Sequence, residues 1–414
     1  MFSWLTNSNL QAGGMILAVI QVIAALPWLY ALDPKGFRKT LRDPKSLAYF
    51  VLAVLLLGQG LAWFTGYRGD STKLHHFGRL YGGILHLQLL IGLFIYAPHF
   101  LTLLFPKAGA VALAAYREGW RQPLFWLIFA FGFFASWIAV VLPYFTFGDD
   151  FKMFKQIGFD IVMLCGLLFG TLASSISIAE EIEGRTAITV MSKPISRRSF
   201  LIGKFLGILM ACGALCLLLS LNLNLALEVQ PSFDPINEDR AYDPMPEQAK
   251  AGLVPFVSKY MPAGPTTVFS YGASMWLAEA FAHSLGIALI FGQVMILVAI
   301  ATALATRLPF VVNLVVVMCI YFFGHLAPVV VRASERSANS GETSSRLIRF
   351  LAQTFDTLLP ALEFFKMGPA IVRDTPLDLW AFAAYVGTVT GLAVLYTTIA
   401  LLIGLLLFED RDLA

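Results

Sequence analysis

Charge is scarce in this chain. Asp, Glu, Lys and Arg make up 13% of its 414 residues, against 58% hydrophobic, and the mean hydropathy is +0.74. A soluble domain carries about twice that charge, so an ordinary soluble protein is excluded. Cysteine is scarce too: Cys165, Cys212, Cys216 and Cys319 all fall in apolar runs, without a CxxC pair or a neighbouring His cluster. Neither a disulfide framework nor a zinc site is expected from such a pattern. The phosphate-cradling loop of an ATPase is missing. Gly203-Lys204 is followed by Phe205 rather than Ser or Thr, and no Gly-rich loop leads into it. There is no His-Glu-x-x-His and no Gly-x-Ser-x-Gly, and Glu279 and His283, four apart, lack the second His of a zinc protease. The formal charge of +3 is not gathered on one stripe, so no nucleic-acid partner is expected. Residues 1–14 hold no Lys or Arg, and a secretory leader would need such a basic start.

What is present is long apolar runs. A bilayer core takes about 20 apolar residues per helix, and backbone groups in lipid must pair within a helix or a closed barrel. The ten-residue alternation of barrel strands is absent, so the expectation is an all-α polytopic membrane bundle. Nine spans are read at 15–32, 47–65, 80–105, 124–146, 156–179, 200–227, 276–305, 309–331 and 378–408. The third contains His86, Gln88 and Pro98 and is expected to bend or break.

A basic cluster (Lys35, Arg38, Lys39, Arg42, Lys45) follows the first span. The positive-inside rule places it in the cytoplasm, with the N-terminus outside and the C-terminus inside. Loops 33–46, 106–123, 180–199 and 306–308 then lie inside, and with the tail and Lys204 they hold about half of the 29 Lys and Arg. The segment 332–377, with six basic residues, opposes the rule. Two parts are read along the chain: 1–106 with three spans, and 107–414 with six. At their join Leu113, Tyr116 and Trp120 share a helical face beside Lys107, Arg117 and Arg121, the pattern of a helix lying in the interface. The segment 228–275 is rich in Pro and acid and has too few apolar residues for a core of its own.

The densest polar patch is 180–207. Glu180, Glu181 and Glu183 close the fifth span, where acids oppose the helix dipole. Gly184 supplies a turn, and Arg185, Lys193, Arg197 and Arg198 supply counter-charge. Thr186 is placed to cap a short amphipathic helix through Met191 that stops before Ser192, Lys193 and Pro194, and Ser196 to cap the next span. From physics alone this is either a docking element or a solvated hairpin.

Glu-Glu-Ile-Glu-Gly-Arg-Thr, Ser-Lys-Pro-Ile-Ser-Arg and Gly-Lys-Phe-Leu-Gly, in that order, resemble the first cytoplasmic loop of type-2 ABC transporter permeases. Residues 107–414 resemble that family's six-span plan, and Phe-Glu-Asp-Arg-Asp-Leu-Ala resembles its charged ending. The resemblance implies a membrane permease without enzymatic activity of its own. Its coupling loop would comprise Glu180, Glu181, Glu183, Gly184, Arg185, Thr186, Ser192, Lys193, Pro194, Arg197 and Lys204. It also implies a separate ATP-binding subunit carrying ATP and Mg, a second permease copy or paralogue, residence in the inner membrane, and export. Residues 1–106 depart from the six-span plan. A chain starting near residue 107 is expected to insert and still bind the ATPase.

Polar residues inside spans are functional candidates by default. Asn222 and Asn224, with Glu279 and His283 one turn apart, are the candidate substrate path. Small residues at Gly166, Gly170, Ala173, Gly203, Gly207, Gly387 and Gly391 suit close helix packing. Two rival functions remain at this level: an ion- or proton-coupled secondary transporter, and a non-transporting membrane anchor for an ATPase complex.

Overall fold

The computed structural model describes residues 7–67, 70–142, 144, 150–183, 196–233, 247–337, 350, 353–354, 359–371 and 378–409. Among these there is no strand. The helices are α1 (Ser8–Leu32), α2 (Pro34–Arg42), α3 (Pro44–Tyr67), α4 (Ser71–Leu104), α5 (Pro106–Arg121), α6 (Pro123–Val141), α7 (Asp150–Glu183), α8 (Arg197–Val229), α9 (Glu247–Tyr260), α10 (Pro265–Ala305), α11 (Phe310–Ser337) and α12 (Leu379–Glu409). Nine of them (α1, α3, α4, α6, α7, α8, α10, α11, α12) are long and apolar enough to cross a membrane. The chain is an all-α, multi-pass membrane protein. Of the bend or break expected in the third span, no break occurs: α4 runs through Pro98 to Leu104, as proline in a membrane helix is tolerated when neighbours re-satisfy the freed carbonyl.

Packing divides the chain into two units that interleave in sequence. One comprises 1–97, 234–284 and 374–379, the other 98–233, 285–373 and 380–414.

In the first unit the Asn7 side chain accepts from the Asn9 and Leu10 amides and starts α1. Two Asp-Pro pairs then set the next two helices. Asp33 accepts from the Gly36 amide (2.9 Å) and Asp43 from the Ser46 amide (3.1 Å) and hydroxyl (2.6 Å). Pro34 and Pro44 stand at the first helical position, where a missing N–H costs nothing. α1 lies directly against α3, where Gly14 faces the Gly58 carbonyl and Ala62. The core joins Leu17, Leu74, Tyr81 and Leu85 to Val257, Met261, Phe269 and Ala273. The Tyr81 hydroxyl donates to the Leu17 carbonyl (2.7 Å), which keeps that polar group paired in an apolar setting.

In the second unit α8 is central and packs on α5, α6 and α7. Small residues permit the α5 contact: a Cβ on Gly207 would sit 2.4 Å from the Ala112 carbonyl oxygen, and one on Gly203 2.6 Å from that of Ala108. Gly166 and Gly170 meet Cys216 and Cys212 on α8 in the same way. Gly387 and Gly391 do not pack closely; both face open space on α12. Their spacing fits a helix contact, but among the described residues none is made there. Polar pins cross the apolar interior: the Asn313 amide donates to Ser175 Oγ (2.8 Å) and to the Ala301 carbonyl (2.9 Å). Large apolar side chains on α6, α11 and α12 point outward, among them Trp126, Phe134, Phe322 and Leu402, as lipid-facing surfaces do.

Candidate functional site

The sequence-predicted coupling loop falls partly outside the described residues. Gly184, Arg185, Thr186, Ser192, Lys193 and Pro194 lie there, as do the side chains of Glu180, Glu181 and Glu183, whose backbone closes α7. The helix that leaves the loop is described in full. Ser196 caps α8 through the Ser199 amide (3.2 Å), as its position before the apolar run predicts.

Among the described residues Arg197 reaches the end of α12. Its guanidinium donates to the carbonyls of Phe408 (3.0 Å) and Glu409 (2.9 Å) and lies 5.7 Å over the Phe408 ring. Arg198 pairs with the Glu409 carboxylate (3.2 Å), and Arg307 donates to the Leu407 carbonyl (2.7 Å). These are the last carbonyls of α12, which no helical N–H can satisfy. Arg197 and Arg307 therefore cap the negative end of the last span, and Arg198 pairs with its last carboxylate. Beneath them Ile178, Phe200, Leu201, Ala305 and Phe408 form one buried cluster. It ties the end of α7, the start of α8 and the ends of α10 and α12 together.

Lys204 is the second anchor. It is 4% exposed, and its ammonium donates to Ser177 Oγ of α7 (2.9 Å) and Glu118 Oε2 of α5 (3.4 Å). An ammonium this deep needs such partners. On α5, burial pushes the Tyr116 hydroxyl up to about 12, because the phenolate would lose its hydration. Of the four cations of the loop motif, the two that are described act in packing: Arg197 fastens α8 to α12, and Lys204 fastens α8 to α5 and α7.

The four candidate path residues fall in separate units. In the second unit Asn222 and Asn224 are buried on α8, and the Trp137 indole N–H of α6 donates to Asn222 Oδ1 (3.0 Å). In the first unit Glu279 is held by both guanidinium nitrogens of Arg79 on α4 (3.1 and 2.5 Å), and His283 is half-buried one turn on. Glu279 is therefore half of a buried ion pair.

The sequence reading missed Arg79, Glu118 and Arg307 as partners. Arg79 sits one residue before the predicted start of the third span, whereas α4 begins at Ser71 and buries it two turns in. A search of polar residues near span ends, and not only within them, would have found it.

The second unit also holds a seated segment at 359–371. Leu362 and Phe365 are buried, the Tyr385 hydroxyl donates to the Phe364 carbonyl (2.8 Å), and Arg332 is ion-paired with Glu363. Phe365 fits a notch at Gly292, where an added Cβ would stand 2.7 Å from its ring. Leu362 and Met367 sit at Gly324 and Gly286. Lys366 is within electrostatic reach of Asp160 and His325, and the Gln293 amide donates to His325 Nε2 (3.2 Å).

Compared with known proteins, residues 30–413 match the family described as ABC-2 family transporter protein. No curated protein and no solved structure matches the chain.

Proposed function

The chain belongs to the ABC-2 transporter family over residues 30–413 and is a membrane permease of an ABC transporter; we propose that it exports its substrate by receiving the stroke of a separate ATP-binding subunit on the loop between α7 and α8. The observation that carries this reading is the pair of anchors just past that loop. Arg197 and Lys204 join the start of α8 to α12, α5 and α7. A push on the loop therefore reaches four helices of the second unit through two charged side chains and their hydrogen bonds of 2.9–3.4 Å. Rigid packing passes such a displacement on as a switch between discrete arrangements.

ATP and Mg are held by the partner subunit. Two permease copies, or this chain and a paralogue, form the pore, and the inner membrane is its site. The short basic loops, including 33–46 and 180–199, face the ATPase side.

The test is co-purification and ATP hydrolysis of the complex in liposomes. Reversing charge at both positions, Arg185→Glu with Lys193→Glu, is expected to leave insertion intact and to change the permease-dependent ATPase rate by an order of magnitude or more, since a close charge pair at an interface is worth about 1.5 kcal/mol or more. Unaltered co-purification and hydrolysis in that double variant would sink the reading.

A further inference from the structure

α2 carries four cations that the coupling proposal does not use. Lys35, Arg38, Lys39 and Arg42 recur at i, i+3, i+4 and i+7, all exposed, and with Asp43 they line one shallow concavity of about 450 Å³. At about 100° per residue they fall within roughly 100° of the helix circumference. Phe37 and Leu41 lie on the opposite side. Phe37 packs edge-on to Tyr30 of α1 (5.6 Å between ring centres), and Leu41 is exposed. The Tyr30 hydroxyl accepts from Arg38 (2.7 Å), so the helix is folded back against the end of a span and held there.

Like charges three and four apart repel, and this stripe is not neutralised from within. α2 contains no acid. The two flanking carboxylates cap helices: Asp33 takes the Gly36 amide, and Asp43 takes the amide and hydroxyl of Ser46. Among the described residues none of the four cations has an ion-pair partner. Lys45 adds a fifth cation just beyond. An amphipathic helix between two spans, cationic on one face and apolar on the other, is built to lie at the headgroup level.

We propose that α2 is a binding surface for anionic phospholipid headgroups. The stripe would hold lipid phosphates while Leu41 and Leu32, both exposed, enter the acyl boundary. The ligand class is phosphate-bearing anionic lipid, and the cations act together as a charge cluster rather than as one stereospecific pocket.

The full chain in phosphatidylcholine nanodiscs doped with phosphatidylglycerol, read by native mass spectrometry, tests this. Each juxtamembrane cation removed is expected to weaken phosphatidylglycerol retention about five-fold. Lys39→Gln with Arg42→Gln should therefore lower it about thirty-fold, leaving Lys35, Arg38 and Lys45 to hold the loop's orientation. Lys35→Arg with Lys39→Arg should keep retention. Raising ionic strength to about 0.5 M, where the Debye length falls to about 4 Å, should weaken it in the wild type. Equal retention in the Gln variant and the wild type would overturn the proposal. So would competition by millimolar inorganic phosphate, which would make this a phosphate site and not a lipid surface. Loss of ATPase co-purification with lipid retention unchanged would assign the stripe to a protein partner and equally refute it.

Discussion

Lys204 and Glu118 are unequal partners, because the Lys204 side chain is 6% exposed and that of Glu118 43%. Removing the lysine charge leaves a carboxylate that water can solvate. Removing the carboxylate leaves an ammonium inside the bundle. Glu118→Ala is therefore expected to cost about 2 kcal/mol, in the range for one lost hydrogen bond to a charged group, Lys204 keeping its Ser177 contact. Lys204→Met keeps the apolar stem and should cost under about 1 kcal/mol. Thermal unfolding in detergent checks the order: Glu118→Ala should have the lower Tm, and the reverse would contradict the burial argument. Arg197 makes a different prediction, because it donates to the carbonyls of Phe408 and Glu409. Arg197→Met should lose about 1 kcal/mol of capping. The loss should show locally, as faster amide exchange in the last turn of α12 and not in its middle. Uniform protection along α12 would mean that Arg307 caps it without help.

The segment 359–371 is short and is held by notches rather than by a long interface. Leucine at Gly292 would occupy the space of the Phe365 ring, and overpacking of this kind costs about 1–3 kcal/mol. The expected outcome of Gly292→Leu is that Phe365 leaves its seat. In a Cys319→Ser background, Phe365→Cys should resist a thiol reagent, as its present burial implies, and should react once Gly292→Leu is added. A cysteine that stays protected in the double variant would show that the seat tolerates the larger residue. These notches were not legible in the sequence, because a glycine's neighbour across a bundle is set by tertiary packing. Gly387 and Gly391, with the same four-residue spacing as Gly203 and Gly207, meet no neighbouring helix among the described residues. The apolar runs were legible, since hydropathy alone marks nine of them. Their ends were not. α10 starts at Pro265 rather than 276, α7 at Asp150 rather than 156 and α4 at Ser71 rather than 80, because a helix continues past the apolar window wherever a cap and its neighbours support it. That overrun buried Arg79. For the coupling loop, the motif marked Arg197 and Lys204, while their partners Glu118, Phe408 and Glu409 lie 86 or more residues away in sequence and follow from no local pattern.

At the scale of the whole chain, orientation and the role of the first residues are both open to direct test. Cysteines at Ser8, Ser192 and Ser232 should divide under an impermeant thiol reagent in intact cells, the first and third labelled and the second protected. Labelling at Ser192 would invert the proposed topology. The second test turns on one ion pair. Packing joins residues 1–97 to 234–284, and within that unit Arg79 holds Glu279, with side chains 7% and 21% exposed. A chain starting near residue 107 lacks Arg79 but keeps Glu279. The anchors Arg197 and Lys204 and their partners all lie beyond residue 107, so the shortened chain is expected to insert and to keep its ATPase contact while losing stability. The same substitution should then act with opposite sign in the two chains. In the full chain Glu279→Gln removes the charge that faces a buried guanidinium and should cost about 3 kcal/mol. In the shortened chain it removes a carboxylate that no longer meets Arg79 and should raise stability, by about 1 kcal/mol or more. Thermal unfolding of the four proteins in one detergent reads this directly. If Glu279→Gln lowers the Tm of both chains alike, the carboxylate serves something other than Arg79, and the first spans are not what holds it in place.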